Sequence, residues 1–248
     1  MLAVHGVLPD TPDTRPPILL VHGAANSAAV WTFWQRQLAT AGRASYTVDL
    51  RGHGASTPCD LSRTTMQDYA DDVLTAVSSL NGARGVVLLG WSMGGLVEMM
   101  AADGCDARAV VGLAPSTPAA ARNPEKVIQS GEFGPEEYGI VSDDPRDQPA
   151  MPDLEIDERI IALASLGRES RYARGERAAG VVIDALACPV LIATGTRDAL
   201  WPRSRYDDLR FPAEHVSVEG ASHWGLVLSR RALSTLIPQV VGWIEQRA

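Results

Sequence analysis

The chain has 248 residues, of which 46% are hydrophobic and 21% charged, a composition typical of one globular α/β domain with a large core. Its net charge of −8 gives no electrostatic basis for binding nucleic acid or an anionic membrane surface. No apolar run reaches the roughly 20 residues of a membrane span, and the N-terminus lacks a basic start followed by a long apolar segment, so we expect a cytoplasmic protein.

Short apolar runs alternate with helical patterns along most of the chain, which predicts a mostly parallel central sheet with helices on both faces. Strands are expected, in chain order, at residues 16–23, 44–50, 85–91, 107–115, 189–195 and 213–220. The last of these is shorter and closer to strict alternation, which favours an outer strand. Helices are expected at residues 28–42, at 65–80 with a stop at Asn81 and Gly82, after Ser92, and at 230–248 with a bend or break near Pro238.

Residues 116–185 do not follow this alternation. They combine a stretch rich in proline, glycine and acidic residues with a helical pattern from about 155 to 179. About 70 residues is too long for a plain connection in a compact domain. We therefore predict a core formed by residues 1–115 and 186–248, and a helical lid insertion, 116–185, that folds over the carboxyl edge of the sheet.

The stretch 86–100, VVLLGWSMGGLVEMM, places a serine between a predicted strand and a predicted helix. Ser92 could simply cap the helix, as serine often does. Glycine two positions before and two positions after it, however, indicates a sharp turn at which the backbone passes close to another chain segment. Such a strand–turn–helix exposes its central side chain above the sheet, which favours a nucleophile.

Two further side chains follow predicted strands, as catalytic loop residues should. Asp198 lies just beyond the strand 189–195, and His223 lies just beyond the strand 213–220. A serine hydroxyl needs an imidazole to accept its proton, and the imidazole needs a carboxylate to fix its tautomer. The three residues are therefore candidates for one catalytic group, although an aspartate after a strand is also a common turn former.

The whole chain resembles the α/β-hydrolase superfamily in five separated places. The matching segments are VHG (21–23), DLRGHGAS (49–56), GWSMGG (90–95), GTRDALWP (195–202) and GASHWG (220–225). The resemblance implies Ser92 as the nucleophile, His223 as the general base and then acid, and Asp198 as its orienting carboxylate. It also implies an oxyanion hole formed by the backbone N–H groups of Ala24 and Met93, and no organic cofactor.

The tryptophans are concentrated near these segments. Trp31 and Trp34 share one predicted helix, and core packing is the favoured interpretation for them. Trp91, Trp201 and Trp224 adjoin the proposed catalytic residues, and we predict that they bind substrate by lining an apolar pocket. The substrate should therefore have a substantial hydrophobic portion.

Other chemistry-bearing residues are assigned structural roles. His22 and His53 are expected to tie loop backbones together by hydrogen bonds. Three cysteines without close spacing argue against a disulfide framework, and no His, Cys and carboxylate cluster has the spacing of a metal site.

Two charged features are harder to assign. Arg168, Arg171, Arg174 and Arg177 recur at steps of three, which favours a solvated helix face. The alternative is that one of these arginines receives a substrate carboxylate. Glu98, on the helix after the elbow, has no explanation in the sequence.

The sequence predicts a carboxylesterase-like serine hydrolase that cleaves a small ester, thioester or lactone through an acyl-enzyme. Two alternatives remain open. The same fold could break C–C bonds or catalyse an elimination with His223 as the base, or it could serve as a non-catalytic receptor. A small molecule is the expected partner, and the sequence does not indicate an oligomeric state.

Overall fold

The protein is described from a computed structural model, and the structure describes residues 1–80 and 85–248. A seven-stranded sheet forms its centre, and its strands lie in the spatial order β1-β3-β2-β4-β5-β8-β9. In chain order the strands of the main sheet are β1 (Ala3–Val7), β2 (Ile18–Val21), β3 (Ser45–Asp49), β4 (Val86–Trp91), β5 (Ala107–Leu113), β8 (Val190–Gly195) and β9 (Glu214–Val218). A separate two-stranded ribbon consists of β6 (Glu132–Phe133) and β7 (Glu169–Ser170).

All pairs in the main sheet are parallel except β1 with β3. The predicted mostly parallel sheet is therefore confirmed, and β9 is the outer strand that its alternating pattern indicated. Strands β2 and β4 are completely buried, as expected when helices cover both faces of a sheet. Strand β1 was not predicted, because its five residues AVHGV are partly exposed and lack an apolar run.

Helices cover both faces of the sheet, as predicted. They are α1 (Thr32–Thr40), α2 (Met66–Ser79), α3 (Met93–Ala101), α4 (Ile156–Ala164), α5 (Arg171–Ala179), α6 (Gly225–Leu228) and α7 (Arg230–Arg247). Side chains of α1, α6 and α7 pack on one face, and side chains of α2 and α3 pack on the other. Trp31 and Trp34 are fully buried on the first face with their rings edge to face at 6.1 Å, as the core interpretation predicted.

Three helix predictions need comment. Helix α2 ends at Ser79, and the predicted stop at Asn81 and Gly82 lies outside the described residues. Helix α7 is not broken at Pro238 but continues through it, since Leu236, Ile237 and Val240 are buried around it and their packing holds the helix together. The region predicted as one helical stretch from 155 to 179 is two helices, α4 and α5, separated by strand β7.

Residues 116–185, called the insert segment below, lie in the chain between the neighbouring strands β5 and β8. The segment includes the β6–β7 ribbon, a 3₁₀ turn at Pro135–Tyr138, and helices α4 and α5. Several of its side chains are buried, among them Met151 and Ala162, which pack in the core, and Glu169, which contacts Ala25 and Tyr69. Its assignment as a lid and its exact boundaries stay predictions.

Candidate active site

Ser92 lies in a strained turn between β4 and α3. Its backbone has φ 55° and ψ −118°, a region that L-residues rarely occupy, and α3 begins at the next residue. The Ser92 N–H donates to the Leu113 carbonyl, and the Ser92 carbonyl accepts from the Ser116 N–H, so both strand β5 and the insert segment hold the turn. Its side chain makes no helix-capping hydrogen bond, which removes the capping interpretation.

The two flanking glycines are required by close backbone approach. A Cβ on Gly90 would lie 2.5 Å from the backbone of Gly94, and a Cβ on Gly94 would lie 2.3 Å from the Val21 carbonyl oxygen. Both distances are shorter than any real Cβ contact. Gly90 is therefore required by the close approach of β4 and α3 within the elbow, and Gly94 by the close passage of α3 over the end of β2.

Asp198 and His223 form a direct pair at the ends of β8 and β9. The His223 Nδ1 and the Asp198 Oδ2 are 2.6 Å apart, and the other carboxylate oxygen of Asp198 accepts from the backbone N–H groups of Leu200 and Trp201 at 2.9 and 3.0 Å. Burial opposes the ionisation of Asp198, but the His223 ring and these two donors outweigh it and hold its pKa below the usual value. The carboxylate is therefore ionised and fixed for one role, accepting the Nδ1 proton of His223.

Ser92 and His223 line the same cavity, of about 440 Å³. Within residues 1–80 and 85–248, no hydrogen bond joins the Ser92 hydroxyl to the His223 ring, an arrangement common among catalytic groups before substrate binds. The structure thus brings the three residues predicted from separate motifs to one place.

The loop after β2 runs beside the elbow. A Cβ on Gly23 would lie 3.2 Å from the Ser92 Cβ, so the next residue, Ala24, reaches the cavity beside Ser92. Met93 is the first residue of α3, and its side chain is buried away from the cavity, which leaves only its backbone for a role at the site. Both placements suit the predicted backbone donors.

His22 fixes this loop through both of its ring nitrogens. The Leu50 N–H donates to the His22 Nε2 at 3.1 Å, so the Nδ1 carries the proton that it shares with the Gly23 carbonyl at 2.8 Å. Burial, together with the nearby His53, lowers the pKa of His22 to about 4. The predicted structural role of His22 as a tie between loop backbones agrees with this geometry.

Glu169 of the insert segment also holds the loop, and no motif in the sequence indicates this role. Its buried carboxylate accepts from the Ala25 N–H at 3.0 Å, the Tyr69 hydroxyl at 2.5 Å and the Ser170 N–H at 2.6 Å, and it lies 3.5 Å from the His53 Nε2. Burial opposes its charge, but His53 and Tyr69 outweigh that effect and lower its pKa to about 2. Glu169 in turn raises the pKa of His53 against the effect of burial.

The cavity has two walls. The core wall carries Ser92, His223 with Asp198 behind it, and side chains that are apolar except for Asn26 and Arg205: Ala24, Ala25, Asn26, Trp91, Ser92, Leu200, Trp201, Arg205, His223 and Trp224 line the cavity. The insert wall, from the insert segment, consists of Glu137, Tyr138, Gly139, Ile140, Ala150, Leu166, Arg174 and Arg177. A substrate held between them would meet apolar surface over much of its length and arginines on the insert wall.

The three tryptophans predicted to bind substrate all line this cavity. Trp91 is nearly buried and its ring packs on those of His223 and Trp224, with centroids 5.0 and 4.9 Å apart, while its Nε1 donates to the His223 carbonyl. Trp91 therefore supports the position of His223 in addition to forming part of the wall. Trp201 is half-buried and has the most surface left for a ligand.

The four evenly spaced arginines do not form one solvated face. Arg168 is exposed and pairs with Glu132, whereas Arg171 and Arg174 both pair with Glu137. Arg174 and Arg177 both line the cavity, but only Arg174 of these two has a carboxylate partner within 4.0 Å among the described residues. The regular spacing of the four arginines did not predict this difference, because the sequence does not show which side of α5 packs on the core.

Glu98 is completely buried on α3, and both carboxylate oxygens lack a hydrogen-bond partner among the described residues. Burial raises its pKa well above the usual value, against a smaller opposing effect of the Gly90 backbone, and so favours the neutral acid.

In residues 1–80 and 85–248, no group of three or more His, Cys, Asp or Glu side chains is arranged to hold a metal ion. None of the helices in the same ranges is long and apolar enough to cross a membrane.

A sequence profile of the alpha/beta hydrolase family matches residues 18–233, and the chain therefore belongs to this family. Methylesterase 3 of Arabidopsis thaliana is 33% identical over 96 residues, which are 37% of this chain and 35% of that protein. A pimeloyl-[acyl-carrier protein] methyl ester esterase of Sodalis glossinidius is 35% identical over 96 residues, covering 39% and 34%. The aligned part of the chain thus spans about a third of the length of these curated relatives.

Similarity to solved structures extends over the whole fold. A monoglyceride lipase of Saccharomyces cerevisiae superimposes with a TM-score of 0.74 at 16% identity, covering 100% of this chain and 92% of that one. At this identity the likeness concerns the fold alone.

Proposed function

We propose that the protein is a serine hydrolase that cleaves a small, partly hydrophobic ester, thioester or lactone through an acyl-enzyme. The observation that carries the proposal is the Ser92 side chain, presented by a strained elbow into the same cavity as a His223 that is hydrogen-bonded to an ionised Asp198. The apolar core wall supports the hydrophobic portion of the substrate. The two curated relatives, both named as esterases of methyl esters, support ester chemistry.

In the proposed mechanism, the Ser92 Oγ attacks the carbonyl carbon of the substrate while the His223 Nε2 accepts the hydroxyl proton. The carbonyl oxygen becomes an oxyanion that accepts hydrogen bonds from the Ala24 and Met93 N–H groups, and one such donor stabilises the transition state by about 3 kcal/mol. The bond to the leaving oxygen or sulfur then breaks, and His223 returns the proton to that atom. A water molecule, deprotonated by His223, then attacks the acyl carbon, the bond to the Ser92 Oγ breaks, and His223 returns the proton to the Ser92 Oγ as the acid leaves.

Labelling with a fluorophosphonate tests the nucleophile directly. We expect one adduct on the intact protein, mapped to Ser92, no adduct in Ser92→Ala, and strongly slowed labelling in His223→Ala. Ser234→Ala, which removes an exposed hydroxyl on α7, is the matched control and should label as the wild type does. An adduct elsewhere, or equal labelling without His223, would contradict an activated Ser92.

Turnover separates ester hydrolysis from the two competing functions. A panel of esters and thioesters of increasing acyl length should be hydrolysed by the wild type and not by Ser92→Ala. A C–C hydrolase or lyase that used His223 alone as its base would keep substantial turnover of its substrate in Ser92→Ala. A receptor would bind ligands in the cavity without labelling at Ser92 and without turnover.

A further inference from the structure

Arg177 is a cavity residue whose guanidinium has few hydrogen-bond partners. The residue belongs to α5 on the insert segment, and it lines the cavity that also contains Ser92. Its guanidinium makes two long hydrogen bonds, both 3.4 Å, to the neutral hydroxyls of Ser116 and Tyr138. The Nε is buried and has no hydrogen-bond partner in the part of the chain that the structure describes. Of the five donors of a guanidinium, most are therefore left unused.

No carboxylate of the described residues forms an ion pair with Arg177 within 4.0 Å. The neighbouring carboxylates are all committed elsewhere: Glu137 pairs with Arg171 and Arg174, and Glu176 accepts from the Met66 N–H at 2.7 Å. Glu169 acts on Arg177 only at longer range, because its oxygens are occupied by three donors and by the His53 contact. Tyr138 and Glu169 favour the charged form against the effect of burial and raise the pKa of Arg177, so the guanidinium is charged and keeps unused donors for a ligand.

The charges of all residues that line the cavity also indicate an anionic ligand. The chain as a whole has a net charge of −8, yet the cavity is lined by three arginines and one glutamate. That glutamate, Glu137, already has two arginine partners, and Arg205 lies on the opposite wall with its guanidinium 5.0 Å from the Trp201 ring. The cavity therefore has a local excess of positive charge in an acidic protein, which would attract an anionic ligand.

We propose that the substrate carries a carboxylate, and that Arg177 binds it while Ser92 attacks the ester at the other end of the molecule. This proposal rests on the proposed function and narrows its substrate class to carboxylate-bearing esters. The apolar side chains of both walls, including Ile140, Leu166 and Leu200, would contact the hydrocarbon between the two ends. A planar guanidinium suits a carboxylate because two parallel N–H groups can donate to its two oxygens.

Matched substrates test the proposal. Half-esters of dicarboxylic acids with four to eight carbons, such as monomethyl adipate, are compared with the methyl esters of monocarboxylic acids of equal length. A third series places the carboxylate on the alcohol side, as in acyl esters of glycolic acid, and so locates the charge relative to the scissile bond. For one chain length in one of the two charged series, we expect kcat/KM of the wild type to be higher for the charged ester than for the neutral ester of equal length.

Variants then assign this preference to one residue. In Arg177→Gln, the ratio of kcat/KM between charged and neutral ester should fall by about 10- to 100-fold, the loss typical of removing a hydrogen bond to a charged group, and the change should lie mainly in KM. Arg177→Lys keeps the charge without the fork and should give an intermediate ratio. Arg168→Gln is the matched control, since this arginine is exposed and does not line the cavity, and its ratio should equal that of the wild type.

A binding measurement keeps this test independent of turnover. In Ser92→Ala, calorimetry should detect binding of the dicarboxylate whose half-ester is preferred, or of each dicarboxylate of the series if no ester is hydrolysed. Adding Arg177→Gln or Arg177→Lys to Ser92→Ala should weaken this binding, and adding Arg168→Gln should not. No hydrolysis together with Arg177-dependent binding would overturn the proposed function but keep the anion site. Hydrolysis with a charged-to-neutral ratio that is the same in the wild type and both Arg177 variants would overturn the anion site alone.

Discussion

The two walls of the cavity differ in what fixes their side chains. On the core wall, backbone geometry does so: Ser92 sits in a forced turn, and Asp198 and His223 follow the ends of adjacent parallel strands. On the insert wall, side-chain contacts do so, as where Arg174 lies between Glu137 and the Phe133 and Tyr138 rings. We therefore expect changes to the catalytic residues of the core wall to act on kcat, and changes to the charged residues of the insert wall to act on KM.

The largest effect is expected from Asp198→Asn on the core wall. The Asn oxygen can still accept from the Leu200 and Trp201 N–H groups, which places its NH₂ against the His223 Nδ1. His223 then carries its proton on Nε2 and cannot accept one from Ser92. We expect kcat for any hydrolysed ester to fall by about 10³- to 10⁴-fold with little change in KM.

The control for this prediction is Asp207→Asn. Asp207 is exposed and, among the described residues, pairs only with Arg203, and its replacement should leave kcat within about twofold because surface pairs contribute little. If Asp198→Asn lowered kcat no more than Asp207→Asn, the His223–Asp198 pair would not set the tautomer on which the proposed mechanism depends.

Glu169 connects the two walls, because it belongs to the insert segment and accepts a hydrogen bond from Ala25 of the core. Glu169→Gln replaces one acceptor oxygen by a donor and leaves His53 buried without its carboxylate. Breaking a buried pair in this way should lower the free energy of unfolding by about 3 kcal/mol. Urea unfolding measures it, with Glu219→Gln, an exposed acid, as the control. Equal stability of the two variants would mean that the connection contributes nothing.

The pair of Glu169 and His53 also predicts the pH range in which it stabilises the fold. The pKa of Glu169 is lowered to about 2, so its contribution is complete above the ordinary value of 4.5 and is lost as the pH falls toward 2. The pKa of His53 is raised above 6.5, so its contribution is complete below 6.5 and is lost as the pH rises through the raised pKa. The difference in unfolding free energy between wild type and His53→Gln should therefore be constant from pH 4.5 to 6.5 and smaller on either side. A difference that grew with alkaline pH would contradict the charged pair.

The sequence predicted the core wall well and the insert wall poorly, for a physical reason. Ser92, Asp198 and His223 follow strands in local patterns that backbone geometry imposes, and such patterns are visible in one chain. The roles of Glu169 and Arg177 depend on which side chains of α2, α5 and the loop after β2 meet in space, and no local pattern records that. Strand β1 was missed because its pairing with β3, rather than its own composition, makes it a strand.

Glu98 contrasts with Glu169, because this buried acid of the core receives no well-formed hydrogen bond among the described residues and only a minor effect from the Gly90 backbone. Among the described residues neither of its oxygens has a partner, whereas the Glu169 carboxylate has three hydrogen bonds. Glu98→Met removes this unsatisfied group at similar volume and should raise the free energy of unfolding by about 1–3 kcal/mol at neutral pH, measured in urea.

Because burial raises the pKa of Glu98, the unfolded chain releases its proton first, and wild-type stability should fall as the pH rises above 4.5. Glu98→Gln, which cannot titrate, should therefore gain on the wild type with rising pH while it keeps the unsatisfied polar group and remains below Glu98→Met. A loss of stability in Glu98→Met at every pH would show that the carboxyl has a stabilising partner in solution, and the contrast between the two buried acids would disappear.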